Sequence, residues 1–211
     1  MQPGLLPLFP LPLVLFPRTP LPLHVFEDRY KELIREAIRD GSEFGIVLAR
    51  QRAVLNTGCT AVIERVLKFY DDGRMDIVAS GRRRFEIAEL DQERSFLRGI
   101  VEFFDDEDFA GAPPELRQQA LDIYRTLVEM GEEAPGPDWD DPQLSFQLAN
   151  IIDDVDFRQS LLPLRSETER IRAFIGFCRD YIPRRRIIAG LRKVQPTNGH
   201  SRMHLPPSGL A

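Results

Sequence analysis

The side chains best suited to catalysis are few in this sequence. Its three histidines are His24, His200 and His204, and the last two have the i,i+4 spacing that could bind a metal on a helix. No acidic residue accompanies them, so we predict no metal site. The aspartates at positions 153, 154 and 156 could form a catalytic carboxylate pair, but their place before an apolar run favours a helix cap.

The sequence also lacks the motifs that nucleotide binding and thiol chemistry require. The sequence contains no G-x-x-x-x-G-K-[ST] phosphate loop, and its lysines stand at positions 31, 68 and 193. The cysteines, Cys59 and Cys178, are far apart in apolar surroundings, which favours two buried free thiols and a reducing, cytoplasmic setting. We therefore predict that this chain is not an enzyme and uses no cofactor.

Three consecutive arginines, Arg82, Arg83 and Arg84, are the first candidate for binding. They follow Gly81, which is typical of a turn between strands whose charges are solvated. Alternatively they contact an anionic partner or the acidic part of this chain. The sequence leaves both interpretations open.

Charge is distributed unevenly along the chain. The overall net charge is −5, yet residues 105–154 alone hold 14 acidic and two basic residues. Residues 155–211 hold four acidic and 11 basic residues. Either these parts lie close together and compensate each other, or an acidic face stays exposed and steers basic partners.

The elements that position these residues begin with a proline-rich opening stretch, residues 5–30. Proline fixes φ and has no N–H, so this stretch predicts short extended pieces with buried Leu, Val and Phe side chains. Its P-x-x-P spacings could mimic a ligand for an aromatic groove, but so apolar a stretch favours the core. Only the part around Arg18 is expected at the surface. An amphipathic helix follows and ends at Gly41.

Strand patterns then continue to Phe104, with a hairpin turn at Asp71-Asp72-Gly73. We predict strands over residues 43–50, 60–70, 74–80, 84–90 and 95–104, in a β-rich subdomain spanning 1–104. Residues 105–112, the acidic linker, have no periodicity and separate it from a helical subdomain over 113–194. Residues 195–211 are predicted to be a disordered tail.

Three stretches also carry a family resemblance. They are PLFPLPLVLFPRTPLPLHVFEDRY at 7–30, FGIVL followed by GCTAVI within 44–63, and GRRRF at 81–85. In content, order and spacing they resemble the N-terminal, substrate-binding domain of Lon proteases, especially the stand-alone bacterial form. The resemblance implies an α+β fold: a PUA-like β pseudo-barrel with one packed helix, then a C-terminal helical bundle. The Walker A motif and the Ser-Lys dyad of full-length Lon are absent.

The resemblance implies a non-catalytic module that binds exposed apolar segments of unfolded or misfolded polypeptides and hands them to a protease or chaperone. We predict that such segments bind in a groove between the two subdomains, with Phe16, Arg18, Phe26 and Tyr30 on its barrel side. The alternative is RNA binding, since PUA-like folds include RNA-binding modules, with Arg82–Arg84 and Arg184–Arg186 as the basic footprint. A pI of about 5.4 argues against a nucleic-acid partner. No apolar run is long enough for a membrane span.

Overall fold

A computed structural model describes residues 5–51, 53–108, 111–131 and 136–194. The tail predicted at 195–211 lies outside the described residues. Six strands come first and four of the five helices follow them. The elements are β1 (Leu6–Leu11), β2 (Pro20–Val25), α1 (Asp28–Asp40), β3 (Phe44–Arg50), β4 (Ala53–Phe69), β5 (Met75–Asp91), β6 (Arg98–Phe104), α2 (Pro114–Glu129), α3 (Leu144–Ala149), α4 (Val155–Leu161) and α5 (Glu167–Val194).

The strands form one sheet that closes on itself. Their order is β2-β5-β4-β3-β1-β6, and a further pairing between β5 and β6 joins the ends of a five-strand ring. Only β1 and β3 run parallel; the other neighbours are antiparallel. Strand β2 is attached to the outside of this ring through β5. The predicted pseudo-barrel is therefore confirmed.

Helix α1 is the predicted packed helix, and it lies against the outer face of the barrel. Its buried stripe is Tyr30, Leu33, Ile34 and Ala37, and Gly41 ends it in the left-handed region at φ 60°. The Tyr30 ring stacks on Phe9 of β1 with 4.1 Å between centroids. These side chains share one apolar core with Met75, Ile77 and other residues on that face of the sheet.

Strands β4 and β5 form one long hairpin whose turn is at Gly73, where φ is 84°. The turn is as predicted, but the predicted break in β5 at Gly81 is wrong, because the strand continues from Met75 to Asp91. Gly81 lies in close contact with the opening stretch: a Cβ atom there would lie 2.1 Å from the carbonyl oxygen of Phe16. Glycine at this position serves close approach rather than a turn.

Three of the C-terminal helices begin at recognisable caps. Pro114 opens α2, Asp154 accepts a hydrogen bond from the Phe157 N–H at 2.8 Å, as the sequence predicts, and Ser166 Oγ accepts from Glu169 N–H at 3.2 Å. Helix α5 runs from Glu167 past Ile182 to Val194. Residues 183–187 are mostly exposed, so no apolar periodicity marks this extension.

The core of the helical part is closed by residues of the opening stretch. Val14, Phe16 and Leu48 share one apolar cluster with α2, α3, α4 and α5. Phe16 is fully buried and stacks on Phe146 of α3 with 4.8 Å between ring centroids. The opening stretch therefore contributes to this core and to the core beneath α1, where Phe9 and Leu15 lie. Leu8 of the same stretch lies in a third, smaller cluster with Val47 and Phe85, inside the barrel.

Candidate functional site

A buried cluster of ion pairs joins the barrel to the helices. Arg84 of β5 donates to Asp106 Oδ1 at 2.6 Å, and Arg170 of α5 donates to both oxygens of the same carboxylate at 2.6 and 2.5 Å. Arg84 also donates to the carbonyls of Leu162 and Leu164. The two arginine side chains are 1% and 0% exposed. Asp106 therefore supplies the counter-charge for two buried guanidinium groups, and we call Arg84, Asp106 and Arg170 the Asp106 clamp.

The expectation that few contacts cross the acidic linker is wrong at two of its residues. Asp106 is held by the clamp, and Asp108 accepts hydrogen bonds from Ser166 Oγ at 2.6 Å and Glu167 N–H at 3.1 Å, at the start of α5. The acidic side chains are partners of buried arginines and of a helix N-terminus, so they are not simply solvated. The division into subdomains at 105–112 stays a prediction.

The Asp106 clamp predicts a loss of stability in acid. Burial raises the pKa of the Asp106 carboxyl, but the hydrogen bonds and charges of Arg170 and Arg84 outweigh it, so the pKa lies below the ordinary 3.8. A lowered pKa contributes stability above 3.8 that is lost as the pH falls through the folded-state value. Urea unfolding of wild type and Asp106→Asn at a series of pH values should show their stability difference shrinking over this range. A stability difference that stays constant with pH would contradict the lowered pKa of Asp106.

Glu167 lies beside the clamp, and its pKa is shifted in the direction opposite to that of Asp106. Burial is its largest influence and raises its pKa above the ordinary 4.5, although Ser145 and Arg170 donate to it at 2.6 and 2.9 Å. Its ionisation therefore costs stability as the pH rises through the raised value, whereas that of Asp106 supports the fold. The Asp106→Asn variant removes the titration of Asp106 and keeps that of Glu167, so its comparison with the wild type reports on Asp106.

Residues 16–19 form a turn that is fixed to β5. The Arg18 N–H donates to the Gly81 carbonyl at 2.8 Å, and the Gly81 N–H donates to the Thr19 carbonyl at 3.0 Å. Arg18 has a φ of 58°, which is uncommon for a residue with a side chain. Its half-exposed guanidinium pairs with Asp141 at 2.9 Å, on the helical side. This turn is a second link between barrel and helices.

A groove of about 860 Å³ opens above these links, where the sequence predicts one. Its walls carry charges of both signs and one large aromatic ring, Trp139, which is 43% exposed. The lining residues include Arg18, Arg82, Arg117, Asp105, Asp140 and Trp139. Such mixed, charged walls are poorly suited to a purely apolar segment.

The three consecutive arginines do not form one surface. Arg83 pairs with Glu43 at 3.1 Å and its guanidinium lies 3.8 Å from the centre of the Phe103 ring. Arg84 is buried in the clamp, so the interpretation as a contact with the acidic part of the chain holds for this residue. Arg82 is exposed at the groove. Two of the three arginines of the predicted RNA-binding surface, Arg83 and Arg84, are therefore already paired with acidic residues of the chain.

Two of the four predicted protein-binding residues are buried. Phe16 is 0% and Tyr30 is 6% exposed, because each is part of an apolar core, so the prediction that they line a binding surface is wrong. Phe26 is exposed by 60% and Arg18 lies at the groove. Phe16 and Arg18 belong to the barrel–helix junction, whereas Phe26 and Tyr30 lie at the start of α1, so the structure does not bring the four together.

Phe26 belongs to a fixed cluster of rings on the outside of the sheet. Its ring stacks on His24 with 6.0 Å between centroids, and His24 meets Tyr70 edge-on at 5.9 Å. Asp76 holds both neighbours, accepting from His24 Nδ1 at 2.6 Å and from Tyr70 Oη at 2.7 Å. The His24 hydrogen bond and then the Tyr70 bond lower the pKa of Asp76, which keeps it a charged acceptor.

Several large apolar side chains remain exposed near this cluster. Phe69 of β4 and Val25 of β2 both pair with Met75 of β5, so Phe69 lies on the face of Met75, whereas the ring cluster lies on the opposite face with Asp76. Leu67 lies where a register shift interrupts β4, and Ile38 of α1 lies across a groove from residues 62–66. We call four of these side chains the hairpin patch: Phe26, Ile38, Leu67 and Phe69, exposed by 60%, 37%, 59% and 61%.

Sequence reasoning did not find Leu67 and Phe69 as binding residues. Strand 60–70 has apolar residues on both alternations, which predicts burial on both faces. The register shift at Leu67 and the end of the sheet at Phe69 leave both exposed instead.

Metal binding, thiol reactivity and membrane insertion have little support among the described residues. Within these ranges, no group of three or more His, Cys, Asp and Glu side chains could hold a metal ion. Burial raises the pKa of both thiols, Cys59 and Cys178, to about 12. In the same part of the chain, no helix combines the length and the apolarity of a membrane span.

Residues 5–174 match the family model described as the ATP-dependent protease La (LON) substrate-binding domain. The chain belongs to this family. Lon protease of Parabacteroides distasonis is 26% identical over 184 residues, and Lon protease 2 of Myxococcus xanthus is 32% identical over 147 residues. These alignments cover 81% and 63% of this chain but 22% and 17% of the relatives. The chain thus spans about a fifth of the length of the Lon proteases that it matches.

Solved LON domains confirm the fold. A Lon N-terminal domain protein from Xanthomonas campestris is 27% identical, with a TM-score of 0.68 over 82% of this chain and 98% of that one. The N-terminal domain of Mycobacterium avium complex Lon protease has a TM-score of 0.60 at 18% identity, over 84% of this chain and 99% of that one. The second likeness concerns the fold alone.

Proposed function

We propose that this LON substrate-binding domain is a non-catalytic module that binds exposed apolar segments of unfolded or misfolded polypeptides through the hairpin patch. Membership of the family supports a substrate-binding role. The apolar specificity, the cytoplasmic setting and the transfer of bound chains to a separate protease or chaperone are part of the proposal.

The observation that carries the proposal is the set of large apolar side chains that stay exposed around the end of the β4–β5 hairpin, on both faces of the sheet. Single exposed apolar residues are common and need no explanation, whereas a group of them marks an interaction surface. Here Leu67, Phe69 and Phe26 are each exposed by about 60%, close to a ring cluster fixed by Asp76. A surface that is rigid before binding loses little entropy when it orders a flexible chain.

The groove at the barrel–helix junction suits this role less well. Charged side chains such as Arg82 and Asp105 line it, and an apolar segment would have to desolvate them without forming replacement hydrogen bonds. RNA binding gains no support from the family or from the placement of Arg83 and Arg84, which have internal partners.

Replacing Leu67 and Phe69 together by serine should weaken binding of an unfolded polypeptide by about tenfold or more, because central apolar side chains carry most of the free energy of binding. The probe is fluorescently labelled α-lactalbumin, reduced and carboxymethylated so that it stays unfolded. Fluorescence anisotropy gives the dissociation constant for the wild type and the variant.

The control replaces two apolar residues that are exposed outside the patch, Leu90 at 48% and Val128 at 40%. The Leu90→Ser, Val128→Ser variant also loses exposed apolar surface and should bind as the wild type does. Equal losses in both variants would show non-specific hydrophobic binding and would contradict the proposal. An absence of binding to the wild type would do the same.

A further inference from the structure

We infer that the bound segment adds to the sheet as an extra β-strand along residues 62–69 of β4, which we call the free edge. This inference rests on the proposed function and names the form in which the substrate is recognised: an extended main chain. Main-chain recognition suits a protein that must accept many sequences, because every polypeptide offers the same N–H and C=O groups.

The free edge follows from the pairing of β4. Strand β3 pairs with β4 only between Ala53 and Ala61, where Phe44 is the last partner. From Val62 to Phe69, β4 pairs with β5 on one side, and no described strand lies on the other. An unpaired edge presents a row of N–H and C=O groups that another chain can bind. A segment added here would continue the β3–β4 ladder beyond Phe44.

Beside the first part of this edge, a small groove of about 210 Å³ separates residues 62–66 of β4 from the C-terminal end of α1. Ala37 and Ile38 line its helical side, so they offer apolar contacts to alternate side chains of an added strand. Leu67 and Phe69 lie on the free edge itself, where cross-strand pairs with apolar residues add stability. The hairpin patch then selects apolar side chains while the edge binds the main chain.

The opposite edge of the same part of the sheet cannot serve in this way. Strands β2, β5 and β4 lie side by side, so β2 forms the other outer edge. Pro20 and Pro22 pair with Ser80 and Val78 of β5, and neither proline has an N–H to donate. The β2 edge is therefore protected from strand addition, whereas the free edge of β4 has no proline.

The register shifts in the free edge favour a flexible polypeptide as the binding partner. Register shifts occur between Ile63 and Arg65 and again between Val66 and Lys68. Such bulges twist a strand and discourage pairing with a regular, rigid strand. An unfolded segment can follow a twisted edge, so we assign the site to unfolded polypeptide rather than to self-association.

The test compares two peptides of about eight residues with alternating leucine and serine. One has ordinary peptide bonds and the other is N-methylated at every residue, which keeps the side chains but removes the main-chain donors. The wild-type chain should bind the N-methylated peptide at least about tenfold more weakly. Hydrogen exchange should show slower exchange of amides in 62–69 with the ordinary peptide alone.

Each outcome has a defined meaning. Equal affinity for the two peptides, without protection of 62–69, would overturn strand addition and leave binding by the hairpin patch intact. No binding of either peptide or of unfolded α-lactalbumin would overturn the proposed function as well. Sedimentation of the chain alone provides the remaining control: a dimer that the ordinary peptide dissociates would assign the edge to a second copy and contradict the inference.

Discussion

Replacing Asp106 by alanine is expected to lower the free energy of unfolding by about 3–5 kcal/mol, the range for breaking a buried ion pair by removing one partner. The variant leaves Arg84 buried without its counter-charge and Arg170 with Glu167 alone, and the two arginine side chains are 1% and 0% exposed. Equilibrium unfolding in urea, followed by circular dichroism, measures the loss. The far-UV spectrum before unfolding shows whether the variant still folds.

The matched control is Asp105→Ala in the same acidic linker. Asp105 is exposed, so its removal should change the free energy of unfolding by less than about 0.5 kcal/mol. If Asp106→Ala proved as mild as this control, the ion pairs would contribute little, and the account of how the helices are fixed to the barrel would be wrong.

The variants Phe16→Ala and Phe26→Ala should distinguish a residue of the opening stretch that stabilises the fold from one that binds the substrate. Phe16 is fully buried against Phe146, so its truncation should lower the free energy of unfolding by about 3–5 kcal/mol. Phe26 is 60% exposed, so its truncation should change stability by less than about 0.5 kcal/mol. Binding of unfolded α-lactalbumin should respond in the reverse order, with Phe26→Ala the weaker binder among folded molecules.

Urea unfolding and anisotropy on both variants supply the two measurements. Anisotropy is done at a temperature where circular dichroism shows Phe16→Ala to be folded. A Phe26→Ala variant that binds as well as the wild type would remove Phe26 from the hairpin patch. A Phe16→Ala variant of wild-type stability would contradict its place in the core.

Local signals in the sequence predicted most elements correctly. The prolines of the opening stretch excluded helix, Gly41 and Gly73 marked a helix end and a hairpin turn, and the aspartates at 153–156 marked the start of α4. These signals depend on neighbouring residues, so one sequence suffices to find them. The family resemblance then gave the pseudo-barrel, which depends on pairings between distant strands.

The candidate site was less predictable because its features depend on distant contacts. Consecutive arginines usually indicate a solvated turn, and only the folded chain shows that Arg84 faces Asp106 and Arg170. A large apolar residue usually indicates core, and only the strand register shows that Leu67 lies at a shift beyond the last β3 partner. Sequence reasoning therefore placed the substrate near Phe16 and Tyr30, which are buried, and of the hairpin patch it named Phe26 alone.

Photo-crosslinking tests most directly the proposal that polypeptide segments bind at the hairpin patch. A photoreactive amino acid is placed either at position 67, in the patch, or at position 139, in the groove, and each variant is irradiated with unfolded α-lactalbumin. Both parent side chains, Leu67 and Trp139, are at least 43% exposed, so either site should tolerate the replacement. We predict strong crosslinking from position 67 and little from position 139; the reverse pattern would place the substrate in the groove and contradict the proposal.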